Sequence, residues 1–168
     1  MKPSADYWIE KLQLTSHVEG GAFRELYRSK LTASRSVLPA TFAGDRNFCT
    51  AIYFLLKENQ FSAFHKISSD EIWHFYYGNA LLIYEINKNG SLTEHRLGND
   101  PEKSETFQCV IQAGNWFASK VAEGGNYSLV GCTVSPGFDF ADFELANRDE
   151  LTKLYPQHSA LIKELTLE

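Results

Sequence analysis

The chain has 168 residues, enough for one domain that buries a core without disulfides or structural metals. Its formal net charge of -5 and the lack of a Lys/Arg run exclude nucleic acid and anionic membrane surfaces as expected partners. Aromatic residues make up 14% of the chain, which favours β structure, and the longest apolar runs are too short to span a bilayer.

The three cysteines, Cys49, Cys109 and Cys132, are far apart and form no CxxC pair. Dispersed thiols beside or within apolar runs are typical of buried free cysteines in a reducing compartment. The first ten residues contain no apolar segment like that of a signal peptide. The sequence therefore predicts a cytoplasmic protein.

The predicted elements begin with a short helix over residues 6–12, capped by Ser4 or Asp6. A double glycine at 20–21 marks a turn, and the alternation after it predicts a strand over 23–28. Residues 30–47 have the composition of a polar, irregular loop. Eight β-rich segments follow, at residues 50–56, 61–67, 71–77, 80–87, 91–97, 107–111, 116–121 and 127–134.

Turn residues separate these segments, and helical spacing returns only over residues 147–165, where Pro156 interrupts it. Many short strands without helices between them predict a sandwich or a barrel. We therefore predict a single all-β domain over residues 1–168. It comprises an N-terminal extension (1–47), a barrel (about 48–145) and a helical tail (146–168).

The most informative stretch is residues 64–78, where His65 near the end of one strand and Glu71 at the start of the next converge across a tight connection. With Gly78 closing the second strand, this stretch resembles the first conserved motif of the cupin superfamily, in which His-x-His is followed by Glu and Gly. Ile67 stands where that motif has its second His. Residues 112–117 are similar to the second motif, Pro-x-Gly-x-x-His, but Gln112 replaces the Pro and Phe117 replaces the His.

Three longer stretches are similar to a cupin family first described as a domain of unknown function. They are His17-Val18-Glu19-Gly20-Gly21-x-Phe23-Arg24-Glu25-x-Tyr27-Arg28-Ser29, Ser69-Asp70-Glu71-x-Trp73-His74-Phe75-Tyr76 and Leu129-Val130-Gly131-Cys132-Thr133-Val134-Ser135-Pro136-Gly137-Phe138-Asp139-Phe140. The resemblance implies an all-β double-stranded β-helix, the cupin or jelly-roll barrel, with short helices at both ends. It also implies a homodimer and a pocket for a small-molecule ligand, in a fold likened to sugar-nucleotide epimerases.

Metal-dependent cupins typically use three His and one Glu, and only His65 and Glu71 stand at matching positions here. Ile67 and Phe117 cannot coordinate an ion, and two protein ligands rarely hold a divalent ion tightly. Strand alternation places His74 on the face opposite to Glu71. We therefore predict no metal and no other cofactor, and a metal-dependent oxygenase is the third hypothesis for function.

Without a metal, His65 and Glu71 are the candidate catalytic acid–base pair. Histidine titrates near neutrality, and a nearby carboxylate raises the imidazole pKa by stabilising the imidazolium. Proton transfer beside a carbonyl also needs a group that stabilises the enolate. The other candidate ligand-binding residues are Arg24 and Lys66 as cations, Tyr53, Tyr76 and Tyr84 as proton donors, and Trp73, Gln112, Trp116 and Phe117 from the motifs.

Two functions remain open at this stage. One is a metal-independent cupin with epimerase or isomerase chemistry on a sugar- or nucleotide-like ligand. The other is a ligand-binding cupin without turnover, in which His65 and Glu71 form a structural hydrogen bond. Arg24 and Arg28 beside Glu25 also fit a surface ladder of ion pairs.

Overall fold

The computed structural model describes residues 3–168, beginning just before helix α1 (Ala5–Leu12). The Ser4 side chain accepts a hydrogen bond from the Tyr7 backbone N–H, so Ser4 caps the helix as one of the two expected residues. The helix ends at Gln13, whose φ of 55° is left-handed. In the described part of the chain, no helix is long and apolar enough to cross a membrane.

The strands confirm the predicted β-rich segments, with ends displaced by at most one residue. They are β1 (Thr15–Ser16), β2 (Ala22–Arg28), β3 (Thr32–Ala33), β4 (Arg46–Asn47), β5 (Thr50–Lys57), β6 (Phe61–Lys66), β7 (Asp70–Gly78), β8 (Leu81–Ile86), β9 (Leu92–Leu97), β10 (Gln108–Ile111), β11 (Trp116–Val121), β12 (Tyr127–Ser135) and β13 (Glu144–Leu145). Residues 30–47 are less irregular than predicted, because β3 and β4 pair within them. The tail forms α2 (Arg148–Leu154) and α3 (Ser159–Glu164) on either side of Pro156.

Two antiparallel sheets form the barrel, with strand orders β1-β2-β5-β12-β7-β10 and β13-β6-β11-β8-β9. Large buried side chains from both sheets meet in one core, including Phe54 and Trp73 from the first and Ile83 and Phe117 from the second. The fold is therefore the all-β double-stranded β-helix that the sequence predicts.

Successive side chains of β6 point alternately to the terminal helices and to the barrel interior. Phe64 faces outward and packs with Leu151 and Ile162 of the terminal helices, so His65 faces the barrel interior. The tail thereby buries the outer face of the five-stranded sheet behind the strand that carries His65.

Gly78 ends β7 in a conformation that other residues rarely adopt. Its φ is 100°, and a Cβ atom there would lie 2.5 Å from the Tyr127 carbonyl oxygen. The glycine expected from the motif thus allows β7 and β12 to approach closely at the end of their pairing.

Candidate active site

A cavity of about 240 Å³ lies between the two sheets, where β6 ends and β7 begins. Its wall combines apolar and aromatic side chains with several carboxyl and imidazole groups. The lining residues are His17, Glu19, Phe23, Glu25, Arg28, Thr50, Ile52, Phe54, His65, Ile67, Glu71, Trp73, Cys132, Val134, Phe138, Asp139 and Phe140.

Strand alternation places Glu71 and Trp73 in the cavity wall, as the sequence predicts. His74 lies on the opposite face of β7, where its Nε2 is 3.0 Å from the Thr133 hydroxyl. The expected separation of His74 from Glu71 is therefore confirmed.

Glu19 enters the site from the turn before β2, and its position depends on Gly20. The φ of Gly20 is 114°, and a Cβ atom there would collide with the Phe61 carbonyl oxygen of β6. This close approach lets the Glu19 carbonyl accept a hydrogen bond from the Ala63 N–H at 2.8 Å, and the Glu19 carboxylate accept one from the Ser62 hydroxyl at 2.8 Å. The glycine turn therefore fixes a carboxyl group beside the inner face of β6.

His65 has a partner at each ring nitrogen. Its Nδ1 is 2.7 Å from the Ala63 carbonyl oxygen, and its Nε2 is 3.2 Å from Oε2 of Glu19. A carbonyl oxygen only accepts hydrogen bonds, so Nδ1 carries a hydrogen and donates it. The contact between Nε2 and Glu19 then requires one further proton, which the imidazole and the carboxyl share.

Burial dominates the electrostatics of the two inner carboxyl groups. It raises the pKa of Glu19 to about 7 and that of Glu71 to about 7. Burial also lowers the pKa of His65, and the nearby Glu71 carboxylate partly opposes that effect. The low-dielectric cavity thus favours neutral forms of both residue types and brings the carboxyl groups into a range suited to proton transfer near neutral pH.

His17 is a second imidazole in the wall. Its Nδ1 accepts a hydrogen bond from the Glu19 backbone N–H at 3.4 Å and lies 3.5 Å from the Glu19 carboxyl oxygen Oε2. Burial lowers the pKa of His17, so the neutral ring carries its hydrogen on Nε2. His17 therefore adds a neutral N–H donor to the cavity wall.

Glu71 is bordered by the Cys132 thiol and the Trp73 indole. Both lower the Glu71 pKa slightly against the larger effect of burial. The buried Trp73 Nε1 nevertheless makes no hydrogen bond of ordinary geometry. Glu71 therefore has weaker hydrogen-bond partners in the wall than Glu19, which is bonded to Ser62 and His65.

Arg28 and Glu25 lie at the mouth of the cavity. The Arg28 guanidinium donates from Nε to Oε1 of Glu25 at 3.0 Å and from Nη2 to Oε2 at 2.7 Å. Its Nη1 donates to Oδ1 of Asn47 at 2.9 Å and to the Phe138 carbonyl oxygen at 3.1 Å. The expected ion pair of Arg28 with Glu25 is present, and it ties β2 to the segment that follows β12.

Residues 138–143, which follow β12, carry three aromatic rings, Phe138, Phe140 and Phe143, and we call this segment the aromatic rim. A buried ion pair holds it in place. Phe138 and Phe140 have ring centres 5.0 Å apart, and the Phe143 ring lies 5.3 Å from that of His65. Asp142 accepts from Nε and Nη2 of Arg46 at 2.5 and 2.6 Å, and both side chains are about 5% exposed. Arg46 therefore positions the aromatic rim from the short β3–β4 hairpin.

Of the candidate residues from the sequence, His65, Glu71 and Trp73 line the cavity. Phe117 packs behind the wall, with its ring 4.1 Å from that of His65. Tyr53 and Tyr76 meet 5.7 Å apart on the outer face of the six-stranded sheet. The structure does not bring these two tyrosines to the inner carboxyl groups.

The other candidates also lie away from the cavity. Arg24 is exposed and donates to the Leu12 carbonyl oxygen at 3.1 Å. The Lys66 ammonium lies 4.4 Å from the centre of the Trp116 ring, outside the five-stranded sheet. Tyr84 belongs to the core under the tail, and Gln112 is exposed in the turn before β11.

Sequence reasoning missed His17, Glu19, Glu25 and Arg28 as lining residues. All four lie in the stretch 17–29 that carries the family resemblance, and this was the available signal. Strand alternation could not reveal Glu19, because it precedes the strand and reaches the cavity through a left-handed glycine turn.

The two sheets, with a ligand-sized cavity between their inner faces, define a cupin barrel. The chain belongs to the family described as Cupin superfamily (DUF985), which residues 6–146 match. It is 33% identical over 159 residues to uncharacterized protein YML079W of Saccharomyces cerevisiae, covering 87% of this chain and 77% of that protein.

Two solved structures resemble the whole chain. A hypothetical protein from Leishmania major superposes with a TM-score of 0.91 at 35% identity, covering 99% of this chain and 100% of that one. Protein SO0799 from Shewanella oneidensis gives a TM-score of 0.88 at 41% identity, covering 99% of both chains. These likenesses support the family assignment and the fold.

The residues present do not fit the metal centre of metal-dependent cupins. Ile67 lines the cavity and Phe117 packs behind it, at the positions where those proteins carry His. Within residues 3–168, no group of three or more His, Cys, Asp or Glu is arranged to hold a metal ion.

Proposed function

We propose that this small-molecule-binding cupin is a metal-independent isomerase or epimerase that moves a proton beside a carbonyl group of its ligand. The observation that carries the proposal is the buried set Glu19, His65 and Glu71 in one cavity wall. Two carboxyl groups with pKa values raised to about 7 flank an imidazole there. Such a set supplies a base and a proton store at neutral pH.

Glu71 is the catalytic base in this proposal. Its carboxylate removes the proton on the carbon beside the carbonyl, and the electron pair of that C–H bond forms an enol double bond. The carbonyl oxygen takes a proton from the Nε2–H of His17. In an epimerisation the enol turns its other face to Glu71, which returns the proton to the same carbon, and the enol oxygen gives its proton back to His17. In an isomerisation Glu71 returns the proton to the former carbonyl carbon, and the hydroxyl oxygen on the neighbouring carbon gives its proton to His17 as it becomes the new carbonyl.

His65 is a positioning residue, since both of its ring nitrogens are occupied by Ala63 and Glu19. It acts on the reaction through the proton that it shares with Glu19 and through its effect on the pKa of Glu71. This differs from the direct acid–base pair expected from the sequence. A His65→Asn variant should therefore move the pH profile of the reaction more than it changes ligand affinity.

The test is deuterium exchange from heavy water into a panel of neutral aldoses and ketoses. Exchange is measured as the loss of the ¹H NMR signal of the carbon-bound proton. The wild type should exchange a carbon-bound proton of any panel member that it binds, and Glu71→Gln should abolish this. Glu144→Gln, which removes an exposed carboxyl group from β13, is the matched control and should keep full exchange. Exchange that persists in Glu71→Gln would defeat the assignment of the base.

A binding protein without turnover is the second candidate. The complete pairing of His65 favours it, because a fully bonded imidazole can be purely structural. A panel member that stabilises the protein against heating but never incorporates deuterium would establish this alternative.

We also propose a homodimer, which the family resemblance implies. Support comes from a row of side chains across the outer face of the six-stranded sheet. Val110, Ile72, Thr133, Ala51 and Tyr27 are cross-strand neighbours in that row. Val110 and Tyr27, at the two ends of the row, are 48% and 54% exposed, so an apolar and an aromatic side chain are open to contact with a partner. Light scattering should give twice the chain mass, and a monomer at micromolar concentration would defeat the proposal.

A cytoplasmic location is proposed as well. All three cysteines are free thiols, and burial raises the pKa of Cys109 to about 12. Cysteines that form no disulfide support a reducing compartment.

A further inference from the structure

The cavity offers no uncommitted cation to an anionic ligand. Arg28 is the one Lys or Arg among the described residues that line it. Its guanidinium is already neutralised by two hydrogen bonds to Glu25 and further occupied by Asn47 and Phe138. A phosphate or carboxylate entering this cavity would lose its water without gaining a counter-charge, which is costly.

The acidic groups are spread along the whole depth of the cavity. Glu19 and Glu71 lie at the inner end, and Glu25 and Asp139 line it nearer the mouth. Glu19 and Glu25 are already bonded to His65 and Arg28, and burial favours the neutral form of Glu71, so an added cation meets little free counter-charge. The cavity is well supplied with acceptors for hydroxyl hydrogens and, at His17, with an N–H donor.

Size and wall composition limit the ligand further. The volume of about 240 Å³ is below the roughly 300–1,000 Å³ of pockets that take drug-sized ligands. Five aromatic side chains form most of the apolar wall and provide flat faces for the C–H groups of a compact ring. They are Phe23, Phe54, Trp73, Phe138 and Phe140.

We infer that the ligand is an uncharged, hydroxyl-bearing molecule of about monosaccharide size, and not a sugar phosphate or sugar nucleotide. This inference rests on the proposed function, since it concerns the same cavity and the carbonyl compound on which Glu71 acts. Carboxyl groups accept the ligand's hydroxyl hydrogens, the His17 N–H meets an oxygen, and the aromatic wall covers the ring.

The test uses matched triplets of glucose, glucosamine and glucose 6-phosphate, with the corresponding fructose, mannose and ribose series, at millimolar concentration. Saturation-transfer NMR and thermal stabilisation measure binding. We expect at least one neutral sugar to bind, and its phosphate to bind at least about tenfold more weakly. Tighter binding of a phosphate or an amine, or no binding by any neutral sugar, would overturn the inference.

A gain-of-binding variant keeps the test independent of folding defects. Glu25→Gln removes the charge that neutralises Arg28 while keeping a hydrogen-bond acceptor for it. The ratio of phosphate to neutral-sugar affinity should rise several-fold in this variant. An unchanged ratio would show that Glu25 does not exclude anions and would contradict the charge argument.

The two proposals fail in different ways. A neutral sugar that binds without deuterium exchange preserves the ligand class and defeats the isomerase. Exchange into a bound sugar phosphate preserves the isomerase and defeats the ligand class.

Discussion

His65 Nε2 lies 3.2 Å from Oε2 of Glu19, although Nδ1 of the same ring already donates to a backbone carbonyl. One proton therefore belongs to both residues. This contact makes Glu19 part of the site. Backbone and side-chain hydrogen bonds to β6 hold the turn that carries Glu19 in the position that the contact requires.

Glu19→Gln and Glu19→Ala should differ in stability for this reason. The glutamine amide can donate to His65 Nε2 and accept from Ser62, so its free energy of unfolding should stay within about 1 kcal/mol of the wild type. Alanine leaves both partners buried and unpaired and should cost about 2–3 kcal/mol. Urea unfolding measures both values, and equal losses would contradict the shared-proton arrangement.

Glu71 should make the folded state less stable as pH rises. Its pKa rises from 4.5 to about 7 on folding, mainly through burial, so the folded state holds this proton more tightly than the unfolded chain. The free energy of unfolding therefore falls between about pH 4.5 and pH 7, against an opposite contribution from the lowered pKa values of His65 and His17.

Glu71→Gln removes the Glu71 contribution. Its stability relative to the wild type should increase from pH 5 to pH 8 by on the order of 1–3 kcal/mol. Chemical unfolding at the two pH values checks this, with Glu144→Gln, which removes an exposed carboxyl group outside the cavity, as the matched control. A Glu71→Gln difference that is constant with pH would mean that the carboxyl group is already ionised at pH 5.

Asp142→Asn should loosen the aromatic rim of the cavity. The substitution leaves the Arg46 charge without its bidentate partner at a position about 5% exposed, a change that costs about 3 kcal/mol in buried pairs. Ligand binding should weaken as well, because Phe140 lines the cavity on this segment. Hydrogen exchange of residues 138–143 measures the loosening. Unchanged protection would show that other contacts hold the rim.

The side chains available in the cavity predict a low metal content. Tag-free protein prepared without added metal should contain well under one ion per chain by mass spectrometry, with the same value in His65→Ala and Glu71→Gln. A near-stoichiometric ion that both variants lose would show that residues outside the expected positions complete a metal centre.

Most strand ends could be predicted from the sequence to within one residue, because strand alternation and glycine turns are local signals. The inward orientation of Glu71 and Trp73 followed from the same alternation, and that of His65 followed from the motif resemblance. The partner of His65 did not, because Glu19 reaches it across 46 positions of sequence through the left-handed Gly20. Arg24 was a candidate through the family resemblance and Tyr53 by residue type, yet the pairing of β2 with β5 places both on the outer face of the sheet.

The proposed chemistry depends most on two buried carboxyl groups that hold their protons near neutral pH, and ¹³C NMR of the glutamate carboxyl groups tests this without a ligand. Glu19→Gln and Glu71→Gln would assign the two signals. We predict that both titrate with apparent pKa values near 7, well above the ordinary 4.5. Titration of both groups near 4.5 would contradict the account, since neither carboxyl would then be suited to act as a base or a proton store at neutral pH.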